Sequence, residues 1–144
     1  LCAAPAYLAN APKLETLEDL AHHRCLIVRE NDTDYSLWRF EATDGTRGQR
    51  AVRVNGRLAS NDAEAMTRMA LDGHGILLRS WWDVHEYLAS GDLVPLLPQW
   101  QGVRADFYLL YSERMRENAR VRKFVDFMIT EMTGRVPALP DTPP

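Results

Sequence analysis

The spacing of apolar and polar positions changes several times along the chain. Cys25-Leu26-Ile27-Val28 is a continuous apolar run ending at charged Arg29, and its length and branching predict a buried strand. Asn31-Asp32-Thr33-Asp34 is turn material, and Trp38-Arg39-Phe40 alternates as a half-buried strand does. Alternation returns over 51–58, with Val52, Val54 and Leu58 on one face and Arg53 and Arg57 on the other, and Asp44-Gly45 supplies a hairpin-type turn before it. The period then lengthens. Ala65, Met66, Met69 and Ala70 recur at helical spacing, with Asn61 as the expected cap, Glu64 three residues on and Gly73 as the stop. Gly75-Ile76-Leu77-Leu78 reads as a strand. Ser80 is placed to cap a second helix, with Asp83 at its third position, a stripe of Trp81, Val84 and Leu88, and Gly91 at its end.

The ends follow the same logic. Residues 1–4 are short and apolar and stop at Pro5; Thr16, with Asp19 reaching back, frames a short helix near 17–21. Residues 93–97 predict an edge strand, since Pro95 has no amide donor. Residues 107–111 predict a strand, and 118–132 an amphipathic helix with Val121, Phe124, Val125, Met128 and Met132 on its buried face. The proline-rich tail predicts disorder. Strands alternating with helices imply an α/β fold with a mostly parallel sheet and helices on its faces.

Composition narrows the function. Of 144 residues, 46% are hydrophobic and 26% charged, an ordinary globular balance sufficient for one domain, or one lobe of a larger one. A net charge of -3 gives no electrostatic footprint for direct nucleic-acid contact. No apolar run reaches the ~18 residues that span a bilayer, so no membrane role is expected. The opening Leu-Cys-Ala-Ala-Pro has no basic leader region, and its start without methionine reads as a segment of a longer protein.

Candidate chemistry is sparse. Cys2 and Cys25 form no C-x-x-C pair and the four histidines hold no zinc spacing, so reduced thiols and no metal are expected. His22-His23 sits at a helix end, where a histidine serves terminal carbonyls. Gly73-His74-Gly75 runs from helix into strand, the reverse of a phosphate loop. Trp81 falls on an apolar stripe, which leaves Trp82 for the surface. No catalytic motif is present, and neither enzymatic activity nor a cofactor is expected. Ser60-Asn61-Asp62 is more informative, because it joins the carboxyl end of a strand to the start of a helix, the edge where α/β sheets bind ligands. Helix capping competes for Ser60 and Asn61. Arg29 follows another strand, and Arg79 a third. Arginines beside a helix start suit a small organic acid. Asp62 opposes that, since its charge already occupies the helix start, and a polar or amino-bearing ligand stays open.

Several phrases together point to a family. Cys2-Ala3-Ala4-Pro5-Ala6-Tyr7-Leu8, Asp19-Leu20-Ala21-His22-His23-Arg24-Cys25-Leu26, Trp38-Arg39-Phe40, Val54-Asn55-Gly56-Arg57-Leu58-Ala59-Ser60-Asn61-Asp62, Gly73-His74-Gly75-Ile76, Leu88-Ala89-Ser90-Gly91-Asp92-Leu93-Val94 and Val121-Arg122-Lys123-Phe124-Val125-Asp126-Phe127 occur in one order. In that order the chain resembles the effector-binding region of LysR-type transcriptional regulators. The resemblance implies a periplasmic-binding-protein-like, bilobal effector domain, of which this chain holds the second lobe, the crossover strands and the C-terminal helix. On that template 1–7 is a crossover strand and the end of the first lobe, 8–105 the second lobe, 106–134 the return crossover and C-terminal helix, and 135–144 a disordered tail. It implies a small-molecule effector held between lobes by Arg29, Ser60, Asn61, Asp62 and Arg79, self-association as a homo-oligomer, a cytoplasmic location, and DNA contact only through a helix-turn-helix outside this chain. Many members carry Leu-Pro where this chain has Arg79-Ser80. A transport solute-binding protein with the same lobes is the alternative. With much of the first lobe absent, both 1–4 and the final helix are expected to be loosely packed.

Overall fold

The computed structural model describes residues 1–29, 35–46, 48–103, 108–115 and 118–135, in two units, 1–103 and 108–135. The first unit is built on a five-stranded sheet. Its strands are β1 (Cys2–Ala3), β2 (Cys25–Val28), β5 (Leu58–Ser60), β6 (Ile76–Leu77) and β7 (Val94–Pro95), in the order β5-β2-β6-β1-β7. β2 runs parallel to β5 and β6, while β1 is antiparallel to both β6 and β7. Four strands therefore point one way and β1 the other. Pro95 lies on the edge strand, where a missing amide costs no ladder bond.

Strand alternation puts side chains on two faces, and both are covered. Ala3, Cys25, Ile27 and Ile76 join a cluster with Tyr7, Leu20, Trp38 and Phe40. Cys2, Leu26 and Leu77 face the other way, against Met66, Ala70, Val84 and Leu93. Met66 and Ala70 belong to helix α2 (Ala63–Leu71), and Val84 to helix α3 (Trp81–Ser90). The short helix α1 (Pro5–Leu8) and a 3-10 turn (Glu18–His22) support the first cluster. In that turn the Asp19 carboxylate accepts from the Thr16 amide at 2.8 Å and from the Thr16 hydroxyl at 3.0 Å, the reach-back expected from the sequence.

A second, antiparallel sheet of three strands, in the order β4-β3-β8, was not foreseen as a separate layer. It comprises β3 (Leu37–Ala42), β4 (Gln49–Arg53) and β8 (Trp100–Gly102). The alternating stretch 51–58 is consequently not one strand. β4 ends at Arg53, the Asn55 carbonyl accepts from the Cys25 amide at 3.4 Å, and β5 begins at Leu58 in the other sheet. Alternation continues through this crossing because Val54 is still buried. A Cβ on Gly56 would lie 2.2 Å from the Ile27 Cδ1, so glycine admits the close passage. β8 carries too little alternation to mark a strand, being three residues long and ending in glycine; its place is fixed by pairing to β3 and by the Thr43 amide bonding to the Gln99 carbonyl at 3.0 Å.

Two further expectations need correction. Residues 1–4 are not loosely packed: Cys2, Ala3 and Ala4 are buried, held by ladders on both sides of β1. No strand forms over the described part of 107–111, where residues 108–111 are exposed; a strand needs a neighbour for its amides and carbonyls, and no described residue pairs there. In that second unit, helix α4 spans Ala119–Arg135. Phe124, Phe127 and Ile129 are more than half exposed, while Val121, Val125, Met128 and Met132 are half-buried. The turn at 31–34 and the tail beyond Arg135 lie outside the described residues.

Candidate functional site

The three parallel neighbours β5, β2 and β6 end at one edge of the sheet. Ligands of open α/β sheets bind outside the carboxyl ends of such strands. β2 pairs Val28 with Ser60, and the ladder continues as the Arg29 amide donates to the Ser60 carbonyl at 2.8 Å. That bond fixes Arg29 beside the Ser60-Asn61-Asp62 loop. On the other side of β2, Leu26 pairs with Leu77, and Leu78-Arg79-Ser80 carries the chain from β6 into α3. All five residues singled out from the sequence thus stand at one edge, on three adjacent loops. Among the described residues, no hydrogen bond or ion pair joins the side chain of Arg29 to those of Ser60, Asn61 or Arg79. Arg29 is exposed, whereas Arg79 is largely buried.

The start of α2 differs from expectation. Its cap is Asp62, not Asn61: the Asp62 carboxylate accepts from the Ala65 amide at 3.0 Å. Ser60 Oγ in turn accepts from the Asp62 amide at 3.0 Å. Asp62 wins because its side chain is negatively charged and complements the positive end of the helix. Asn61 is thereby released. It is exposed, and its carboxamide makes no hydrogen bond among the described residues. An incoming anion meets a carboxylate at this helix start, while Asn61 offers both a donor and an acceptor.

The start of α3 also differs. Ser80 holds the cap position with extended backbone, but its side chain makes no capping bond. Asp83, expected to complete the cap, instead pairs with Arg79. Only 16% of each side chain is exposed, against 62–82% for the other described ion pairs. The Arg79 Nε and the Trp81 indole Nε1 are buried with no hydrogen-bond partner among the described residues. Trp81 is half-buried, with its ring centroid 6.2 Å from that of His85, and Trp82 is partly exposed. The sequence places Asp83 in a helix cap and Trp81 on an apolar stripe; the four-residue spacing of Arg79 and Asp83 is the signal for their pairing.

His23, Cys2 and Cys25 are buried in the interior. His23 is 3% exposed, and its Nδ1 lies 3.1 Å from the Tyr7 hydroxyl, which accepts from the Arg24 amide at 3.0 Å. Burial pushes its pKa down, against the opposing pull of the Lys13 backbone and the Asp19 charge, with His22 adding to the depression. Cys2 and Cys25 are free and buried. Burial raises both thiols, Cys25 to about 12. Among the described residues no cluster of three or more His, Cys, Asp or Glu is placed to hold a metal ion, and no helix is long and apolar enough to cross a membrane.

Comparison with known proteins gives a consistent result. The sequence model of the family described as "LysR substrate binding domain" matches residues 1–133. The HTH-type transcriptional activator TtdR of Escherichia coli K12 is 38% identical over 128 residues, covering 89% of this chain and 40% of the relative. The HTH-type transcriptional regulator PtxR of Pseudomonas aeruginosa is 33% identical over 135 residues, covering 94% and 42%. The chain therefore spans about two fifths of the length of these curated relatives. Among solved structures, the regulatory domain of AphB from Vibrio vulnificus superposes with a TM-score of 0.71 at 28% identity, covering 90% of this chain and 62% of that one. The regulatory domain of CrgA, a LysR-type transcriptional regulator from Neisseria meningitidis, gives 0.70 at 27%, with the same coverage.

Proposed function

Since the chain belongs to the LysR substrate-binding domain family, we propose that it is the effector-sensing part of a transcription regulator and takes its effector at the carboxyl edge of β5, β2 and β6. The observation that carries this reading is the convergence there of Arg29, Ser60, Asn61, Asp62 and Arg79 on three adjacent loops. The effector is a small organic acid. Its charge is met by the arginines at the ends of β2 and β6 and not by the start of α2, which Asp62 already occupies. Asn61 gives a polar group of the same ligand both a donor and an acceptor.

Binding acts by linkage. An effector that favours one arrangement of the whole regulator shifts the equilibrium between its states. DNA is contacted by a helix-turn-helix segment outside this chain, in a cytoplasmic homo-oligomer without catalytic activity. The transport alternative is disfavoured by the relatives, whose names describe HTH-type transcription regulators.

The test is calorimetric titration of the full regulator with a panel of small acids, comparing wild type with Asn61→Ala and Arg29→Ala. Both variants should bind the active acid more weakly. Affinities equal to wild type in both would remove the site from this edge.

A further inference from the structure

We propose that Arg79 selects a carboxylate ligand and that Asp83 is a built-in competitor for the same guanidinium. The inference rests on the reading of the β5-β2-β6 edge as the effector site.

Arginine and the tryptophan indole carry donors only. At the β6–α3 junction the buried side-chain atoms without a hydrogen-bond partner among the described residues are two donors, Arg79 Nε and Trp81 Nε1, and one acceptor, Asp83 Oδ2, which faces Arg79 as an ion pair. Asp83 engages Arg79 at one terminal nitrogen, while the Arg79 Nε and, two residues on, the Trp81 Nε1 have no acceptor. Buried donors without partners are uncommon in folded proteins, and those two require an acceptor rather than a donor or a second cation. A ligand carboxylate provides two acceptor oxygens and matches the planar guanidinium.

Asp83 holds the place of that ligand in the absence of one. It lies on the first turn of α3, four residues from Arg79, and the pair is the most buried described ion pair in the chain. The two unpartnered nitrogens are closed to solvent, so a ligand reaches them only with a local rearrangement around the Arg79–Asp83 pair. The negative charge of Asp83 then opposes the incoming carboxylate at short range. Removing the charge while keeping the shape should strengthen carboxylate binding. A purely structural ion pair would give no such gain.

The experiment uses the full regulator labelled with 5-fluorotryptophan, in which Trp81→Phe assigns the Trp81 fluorine resonance. Acetate is the probe, against sodium chloride at equal ionic strength and against neutral acetamide. The Trp81 resonance should shift saturably with acetate alone. The midpoint should fall about tenfold in Asp83→Asn, as expected when a close like charge is removed from a binding site. That gain should vanish when Arg79→Gln is added. Absence of an acetate-dependent shift in both wild type and Asp83→Asn overturns the proposal, as does an equal or weaker midpoint in folded Asp83→Asn. If Asp83→Asn fails to fold, Trp81→Phe, which leaves the ion pair intact, is read by calorimetry. It should lose acetate affinity several-fold at an unchanged melting temperature, and unchanged affinity counts against the proposal. Weaker binding by Asn61→Ala and Arg29→Ala without a gain in Asp83→Asn removes only the role of Asp83. Unchanged affinity in all of these variants removes the site itself.

Discussion

Replacing Gly75 by alanine tests the packing that holds the site edge in register. Gly75 precedes β6 and is buried. A Cβ there would fall 2.3 Å from the Arg24 carbonyl oxygen and 3.1 Å from its carbon. That oxygen accepts from the Ile76 amide at 2.8 Å, so the obstruction is the backbone joining β2 to β6 and no side chain can swing aside. The two segments must separate by about 1.1 Å to restore an ordinary contact of 3.4 Å, at the upper end of the ~1–3 kcal/mol typical of overpacking. The lost flexibility of glycine in the unfolded chain returns roughly 0.4–1 kcal/mol. A net loss of about 2 kcal/mol remains. For a unit of this size that lowers the melting temperature by roughly 8–16 °C. Gly45 is the control. Its φ of 76° is unfavourable for alanine, but nothing lies within 4 Å of its Cβ position. Gly45→Ala should therefore cost only about 1 kcal/mol. Thermal and urea melts of the two variants settle the matter. Gly75→Ala melting with wild type, or above Gly45→Ala, would refute the steric argument.

Three further outcomes are expected. Asp62→Ala should lose about 1 kcal/mol in urea denaturation, as a lost helix cap does, whereas Asn61→Ala should stay within ~0.5 kcal/mol of wild type; the reverse order would restore Asn61 as the cap. His23 titrates below its unfolded value of ~6.5, so below that pH the unfolded chain takes up a proton that the fold refuses, and stability falls by up to about 1.4 kcal/mol per pH unit until the native pKa is reached. Denaturation from pH 8 to 5 should show His23→Gln with a shallower acid slope than wild type, and identical slopes would count against a neutral buried imidazole. Cys2 and Cys25 should react with a disulfide reagent only on unfolding, because both are buried and their thiolates suppressed; rapid labelling of the native protein would contradict this.

How much the sequence disclosed depended on whether a feature was local. The reach-back of Asp19, the edge position of Pro95, the buried run Cys25–Val28 and the helices α2 and α3 follow from neighbouring residues, and all could be read. The crossing between sheets at 54–57 could not, because Val54 and Leu58 keep an alternation that does not record a change of partner. Placement of Arg29, Ser60, Asn61, Asp62 and Arg79 on one edge was legible from strand-to-loop order alone. Their roles were not. Asn61 and Asp62 are both good caps by type, and the choice between them is a matter of backbone geometry. Arg79 and Asp83 are separated by a spacing seen on many solvated helices, and only burial turns that spacing into a closed pair.

The two-residue strand β1 also has a mechanical meaning. It is clamped between β6 and β7, so tension applied along the chain at Leu1 loads two ladders in shear instead of peeling a free edge. One of those ladders belongs to β6, whose far end leads directly to Arg79. A displacement of β1 along its own axis therefore drags on the strand that leads to Arg79. β1 is one of three two-residue strands in this sheet, and its pairing to a neighbour on each side is what lets so short a segment carry that pull.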